Sequence, residues 1–336
     1  MYDGRCHDHF QEAPMRYSYI LSFILLTLFA AGIHAQESDV LQNQDPSRAK
    51  IVTSDIDLFW KAYDKATPEN DLIVYRDEYL KKGSVGLKEF TRTRIGSVCD
   101  LVATIEAHPQ YYRQMREGSL TVKKYEPKIR ASFVRLKEIY PEAVFPPVYF
   151  VVGRMNSAGT LTDKGLLIGV DMFGKSESTP LDELGSWHRA VLSSVDRLPY
   201  IVAHELIHYQ QARVNDNTLL AAAFREGSAD FIGELISGGQ INPHLREYGN
   251  ANERELWVEF VKEMNGTDRS RWLYQGDKAK DRPADLGYYI GYKIAEAFYK
   301  NSPDKKEAVM EILLGDDFTS LLERSRYAEK FRSVRE

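Results

Sequence analysis

The chain has 336 residues, enough for one or two domains, and its composition of 43% hydrophobic and 28% charged residues is that of an ordinary globular protein. Its formal net charge of −5 at pH 7 gives no reason to expect nucleic acid or an anionic membrane surface as a partner. We therefore exclude both classes of partner.

An apolar run near the amino terminus predicts export. Residues 19–31 have the length of a signal-peptide core, Arg16 precedes them, and Ala35 ends a small-residue cleavage sequence. Met15 is the expected start of translation, because the acidic, histidine-rich residues before it do not suit a signal peptide. The run is short for a membrane span. We predict a signal peptide over 1–35, no stable membrane insertion after its removal, and a periplasmic or extracellular location in a bacterium. A retained signal anchor is the alternative.

The mature chain is predicted to begin with a disordered lead-in and a helical lobe. Residues 36–50 are polar, as in many disordered termini. From residue 51 to about residue 140, apolar residues recur at helical spacing, and Gly86 and Pro109 are among the residues that interrupt the helices. We interpret 51–140 as a helical lobe that forms one wall of a cleft and carries no chemistry by itself.

Two runs of β-forming residues follow the helical lobe. Residues 144–152 and 165–171 are rich in valine, isoleucine, leucine and aromatic residues, and the residues between them resemble turns. We predict that the two runs pair as a hairpin.

The most informative stretch is an H-E-x-x-H motif at residues 204–208. Residues four apart lie on one face of a helix, so His204 and His208 can both offer imidazole nitrogens to one Zn²⁺ ion. Glu205 lies beside them as a candidate general base. A catalytic zinc ion usually has three protein ligands and a water molecule, so the motif requires a third ligand from elsewhere in the chain.

The next predicted helix contains candidate carboxylates for that third ligand. Residues 221–236 place Glu226, Asp230 and Glu234 on one stripe of the helix. Apolar residues surround Glu226 and Asp230, and an unpaired buried charge there would be costly. This favours a metal site over a solvated acidic surface.

H-E-x-x-H followed by E-x-x-x-D on the next helix resembles the gluzincin class of metallopeptidases, typified by thermolysin. The resemblance implies that Glu226 is the third zinc ligand and that Asp230 accepts the second N–H of His204 or His208. It also implies an α+β, predominantly helical, zincin-like fold with a small sheet over the H-E-x-x-H helix. Residues 166–171 would be the edge strand that pairs with a peptide or protein substrate, although a purely structural hairpin is equally compatible with the sequence.

A helix near the carboxyl end contributes two further candidates. Within residues 282–299, Tyr288 and Tyr292 share one helix face, and Gly287 and Gly291 lie on an adjacent face where they allow close backbone approach. Either tyrosine could donate a hydrogen bond to the oxyanion of a tetrahedral intermediate. The alternative is that both tyrosines belong to the core.

The whole layout resembles a bacterial domain-of-unknown-function family described as predicted secreted zinc-dependent proteases. It is also distantly similar to a gliding-motility lipoprotein. We therefore predict a single zincin-like catalytic domain over 51–336, which acts as a secreted or periplasmic zinc-dependent peptidase. Zinc would activate a water molecule, and Glu205 would act as the general base. The alternative is a non-catalytic, zinc-containing binding module of the cell envelope.

Overall fold

The computed structural model of the chain describes residues 42–332. The predicted signal peptide over 1–35 lies outside these residues. Within the described part, most residues are helical and four short strands form a small sheet. The predicted α+β, predominantly helical fold is therefore confirmed. No helix between residues 42 and 332 is long and apolar enough to cross a membrane.

Residues 42–50 are ordered against the rest of the protein, so the predicted disorder of the lead-in over 36–50 is wrong for this part. The Asp45 carboxylate accepts the backbone N–H of Ser47 and caps a short 3-10 turn. Arg130 donates hydrogen bonds to the carbonyl oxygens of residues 46, 47 and 49. Because one guanidinium offers five N–H groups, an arginine from a distant helix can order a polar segment that has no apolar pattern of its own.

The helices predicted within 51–140 are present, although Ile51–Val52 form a strand, and we refer to this part of the chain as the helical lobe. Its helices are α1 (Ser54–Tyr63), α2 (Asp71–Val74), α3 (Val85–Phe90), α4 (Val98–Ala107), α5 (Pro109–Leu120) and α6 (Glu126–Ile139). Wider π-type turns continue α3 over Thr91–Ile95. Phe59 is fully buried in this lobe, and its ring centroid lies 5.2 Å from that of Tyr79 and 6.1 Å from that of Tyr112. This buried aromatic cluster holds the lobe together.

The sheet has the strand order β1-β2-β4-β3. Its strands are β1 (Ile51–Val52), β2 (Val148–Val151), β3 (Gly159–Thr162) and β4 (Gly165–Gly169). Strand β2 pairs in parallel with β1 and with β4, whereas β3 pairs with β4 in the antiparallel direction.

This strand order corrects two predictions. The predicted hairpin between 144–152 and 165–171 is wrong, because these runs pair in parallel and the hairpin partner of β4 is β3. The predicted edge strand over 166–171 is also wrong. Strand β4 is an inner strand that is buried along its whole length, whereas β3 lies at the edge and is half-buried. An uninterrupted apolar run is typical of an inner parallel strand.

Asp171 connects the end of β4 to the loop that leads from β2 to β3. Its buried carboxylate accepts the backbone N–H groups of Gly153 and Met155, both at 2.6 Å. The hydroxyl of Tyr111 donates to the backbone carbonyl of Asp171 at 2.7 Å. Burial raises the pKa of Asp171 to about 6, because the charged form loses its hydration.

The carboxyl-terminal half is helical and is organised around one long helix. Its helices are α7 (Ser186–Val191), α8 (Leu198–Gln210), α9 (Leu219–Ser237), α10 (Pro243–Ala251), α11 (Glu253–Glu263), α12 (Gly287–Asn301), α13 (Lys305–Leu314) and α14 (Phe318–Ser325). Helix α9 begins at a cap formed by the Thr218 hydroxyl and ends at Gly238, which adopts the left-handed conformation. It packs against both α8 and α12.

Two glycines bring the backbones of α9 and α12 into contact. A Cβ atom on Gly291 would lie 1.8 Å from the carbonyl oxygen of Ala223, and a Cβ atom on Gly227 would lie 2.0 Å from the backbone nitrogen of Tyr292. No residue with a side chain fits at either position without a shift of the helices. The close approach predicted for Gly291 is therefore confirmed.

Candidate functional site

The three residues predicted to bind zinc lie together in the structure. Helix α8 carries His204 and His208, and helix α9 carries Glu226. One ligand atom from each of the three residues lies within 4.8 Å of the other two. Nε2 of His208 is 3.1 Å from Oε2 of Glu226, and Nε2 of His204 is 3.7 Å from the same oxygen. Both imidazoles and the carboxylate therefore converge on one point.

Asp230 supports His204 and not His208. Its Oδ1 atom is 2.8 Å from Nδ1 of His204, although the two atoms are not aligned for a linear hydrogen bond. The other carboxylate oxygen accepts a hydrogen bond from the side-chain amide of Asn242 at 3.0 Å. Asp230 lies one turn beyond Glu226 on α9, so it meets the histidine that lies one turn before His208 on α8.

Gln211 supports His208 and is absent from the predicted site. Its Oε1 atom is 2.8 Å from Nδ1 of His208. Its amide nitrogen donates to the backbone carbonyl of Arg225 at 2.8 Å and to the hydroxyl of Ser228 at 3.0 Å. Because the amide nitrogen is used in this way, the amide oxygen is the atom that accepts the Nδ1–H of His208. In the neutral ring, Nε2 of His208 then carries no proton, and it is this nitrogen that faces Glu226. The available signal in the sequence is the i, i+3 spacing of Gln211 from His208.

Glu205 is buried beside the two histidines. It is 6% exposed, and a Cβ atom on Gly159 would lie 2.5 Å from its Oε1, so the edge strand β3 passes directly over it. Burial raises the pKa of Glu205, and the neighbouring histidines partly oppose this shift. Within residues 42–332, its carboxylate accepts no hydrogen bond.

The structure brings only one of the two predicted tyrosines to the histidines. Tyr288 lies close to His204, with ring centroids 6.2 Å apart and ring planes inclined by 19°. The hydroxyl of Tyr292 instead donates to Oε2 of Glu234 at 2.8 Å, and the guanidinium of Arg246 lies 3.8 Å from the centroid of its ring. Tyr292 therefore belongs to a separate polar cluster behind the site.

A third tyrosine reaches the site and is absent from the prediction. The hydroxyl of Tyr274 donates to Oε1 of Glu226 at 2.5 Å. The residue is 61% exposed and has a φ angle of 58°, which is rare for a bulky side chain. The hydroxyl group is nevertheless largely removed from solvent, and this burial, together with the charge of Glu226, raises the pKa of Tyr274. Tyr274 lies in a loop without periodic pattern, so no sequence signal marks it.

These groups lie in an open cleft with a volume of about 840 Å³. Strand β3, helices α7, α8 and α9, and the start of α12 contribute to its walls. His204, Glu205, His208 and Glu226 all face the cleft, and so does Tyr288. A ligand in the cleft would therefore have direct access to the candidate metal site.

The fold and the site define a predominantly helical α+β protein with a candidate metal centre facing an open cleft. Residues 42–329 match the model of the family described as gliding motility protein GldB. Because the match covers more than half of the sequence, the chain belongs to this family. Neither the curated proteins nor the solved structures contain a significant match.

The family overturns the predicted relationship to zinc metallopeptidases. The GldB family consists of gliding-motility lipoproteins of the cell envelope, so the predicted gluzincin membership and the predicted peptidase function are wrong. The non-catalytic alternative fits the family better, and the family agrees with the distant similarity to gliding-motility lipoproteins. A short helical motif determines which side chains share a face, and this does not specify the chemistry that they perform. The predicted export from a bacterial cytoplasm agrees with the family.

Proposed function

We propose that the chain is a non-catalytic binding module on the periplasmic or extracellular side of the bacterial cell envelope. It holds one Zn²⁺ ion through His204, His208 and Glu226 and presents the adjoining cleft to a protein partner. The observation that carries this proposal is the convergence of the three ligand atoms within 4.8 Å of one another. Imidazole nitrogen and carboxylate oxygen are ligands that zinc takes in proteins.

The surroundings of the three residues support a metal rather than a simple ion-pair cluster. Metal-binding histidines usually have a partner on the second ring nitrogen, and both histidines have one, Asp230 for His204 and Gln211 for His208. Burial lowers the pKa of His204, but the carboxylates of Asp230 and Glu226 outweigh burial and raise it. The site thus favours a positive charge at this position, which a metal ion can supply in place of a proton.

The proposed ion would tie α8 to α9. These helices supply all three ligands and form much of the cleft, so the ion would hold the cleft in one shape. Metal bound only by the folded chain contributes its binding free energy to folding. In a binding module, a cleft that is already rigid loses less conformational entropy when a partner binds.

Zinc content of the purified protein tests the metal site. We expect about one zinc ion per chain, and a large loss in His204→Ala and in Glu226→Ala. His108→Ala is the matched control, because this histidine follows the end of α4, bonds to the carbonyl of Thr104 and should not affect zinc content. Full zinc content in His204→Ala would show that the assignment is wrong.

Digestion of a peptide library tests the non-catalytic part of the proposal. We expect no chelator-sensitive cleavage by the zinc-loaded protein. Cleavage at defined positions that disappears in Glu205→Gln, with zinc content unchanged, would contradict the binding-module function.

A further inference from the structure

The cleft carries more positive charge than the protein as a whole. The chain has a formal net charge of −5, yet four arginines and only three carboxylates line the cleft. The charged side chains that line the cleft are Arg94, Arg197, Arg225, Arg282, Glu205, Glu226 and Asp285. A bound zinc ion would increase this local positive charge further. The cleft is therefore electrostatically suited to an anionic ligand.

Three of these arginines have no carboxylate partner within residues 42–332, namely Arg94, Arg197 and Arg225. Arg282 differs, since it pairs with Glu259 at 2.8 Å. Each of the three donates one hydrogen bond to a neutral oxygen. Arg94 donates to the hydroxyl of Thr160 at 2.7 Å and Arg197 donates to the carbonyl of Gln240 at 3.1 Å. Arg225 donates to the carbonyl of Ala212 at 2.7 Å. A guanidinium has five N–H groups, so each keeps donors for a ligand.

The three arginines come from different parts of the chain. Arg94 follows α3, Arg197 immediately precedes α8, and Arg225 lies within α9 beside the ligand Glu226. An anion the size of free phosphate is small for a cleft of about 840 Å³ with guanidinium groups from three separate segments. A planar membrane surface cannot enter a concave cleft. The arrangement favours an extended ligand with several anionic groups.

The remaining lining of the cleft favours a peptide as that extended ligand. Apolar side chains line the cleft together with the charged ones, and these are Met172, Phe173, Trp187, Ile201 and Leu245. An acidic peptide carries both carboxylates for the guanidinium groups and apolar side chains for this surface. Pairs of guanidinium and carboxylate form strong, directional hydrogen bonds.

We propose that the cleft binds an acidic peptide segment of a partner protein, with carboxylates of the segment bound by Arg94, Arg197 and Arg225. This inference rests on the proposed function, because it names the class of partner for the binding module. The arginines themselves do not depend on the metal, so the two proposals can fail separately.

Fluorescence anisotropy with a labelled hexapeptide of alternating glutamate and leucine tests the inference. We expect saturable binding that weakens as salt increases, and weaker binding by about 10-fold when glutamine replaces glutamate in the peptide. Arg94→Gln, Arg197→Gln and Arg225→Gln should each lower the affinity by about 3- to 10-fold. Arg135→Gln is the matched control, because Arg135 is an exposed arginine of α6 that pairs with Glu138 and does not line the cleft.

Several outcomes would overturn the inference. One is equal affinity for the glutamate and glutamine peptides, and another is unchanged affinity in all three cleft variants. Binding to vesicles that contain phosphatidylglycerol, without binding to the peptide, would assign the arginines to a lipid headgroup instead. Zinc content measured on the same samples separates the two proposals. If the zinc content is normal but the peptide does not bind, only the acidic-peptide proposal is refuted. If the purified wild-type protein binds the peptide but contains no zinc, only the zinc-site proposal is refuted.

Discussion

Replacement of Gly291 by alanine tests the helix contact that positions the candidate metal site. The new Cβ atom would lie 1.8 Å from the carbonyl oxygen of Ala223 and 3.0 Å from the backbone nitrogen of Phe224. Both obstructing atoms belong to the backbone of α9, so no side-chain rotation can relieve the overlap. Helix α12 must move away from α9 by about 1.6 Å to restore ordinary van der Waals contact. Glu226 lies on the same helix as the obstructing atoms.

Two opposing effects determine the size of the change. Overpacking of a filled interior typically costs about 1–3 kcal/mol, and this overlap with backbone atoms belongs at the upper end of that range. Alanine is favoured over glycine inside a helix by about 1 kcal/mol. We therefore expect Gly291→Ala to lower the free energy of unfolding by about 2 kcal/mol or more, and to weaken zinc binding because α9, which carries Glu226, loses its close support from α12.

Urea denaturation of matched variants measures this effect. Gly118→Ala in α5 is the control, because its Cβ atom would meet no atom closer than the Val195 side chain at 4.0 Å. That variant should gain up to about 1 kcal/mol from helix propensity alone. A Gly291→Ala protein that is as stable as Gly118→Ala would refute the close contact between α9 and α12.

Three further predictions follow from individual side chains. Asp230→Asn should weaken zinc binding by about 10- to 100-fold through the loss of the carboxylate that supports His204, as measured by competition with a chelator; unchanged affinity would contradict this role. Burial raises the pKa of Asp171 from 3.8 to about 6, so its contribution to stability is present at low pH and is lost as the pH rises through this range. The free energy of unfolding of the wild type relative to Asp171→Asn should therefore fall by about 2 kcal/mol between pH 4 and pH 7, and a pH-independent difference in denaturation experiments would disprove it. Tyr292→Phe should cost about 1–2 kcal/mol from the lost hydrogen bond to Glu234 and leave zinc content unchanged, whereas reduced zinc content would place Tyr292 in the site after all.

Local periodicity was sufficient to predict much of the candidate site. Because helix geometry repeats every 3.6 residues, the spacing of His204 and His208 alone places them on one face of α8. The same rule places Glu226 and Asp230 on one stripe of α9. Gly291 marks a close helix contact because only glycine offers no Cβ atom to obstruct it.

Contacts between distant segments could not be predicted from such patterns. Strand β3 reads as a turn because it is short and polar, and only its pairing with β4 makes it a strand. Apolar runs do not reveal whether two strands pair in parallel, since that depends on the connection between them. Tyr274 and Arg130 lie in no periodic pattern that points to their partners, yet each makes hydrogen bonds with a remote part of the chain.

The sequence by itself determined which side chains share a helix face, because that depends on bond geometry over a few residues. Only the tertiary structure decided that Asp230 meets His204, that Gln211 meets His208, and that three arginines without an ion pair among residues 42–332 face the same cleft as the candidate metal ligands. These relationships depend on how α8 and α9 pack and on where the loops cross them. The packing of distant segments is a property of the whole folded chain, and no short motif contains it.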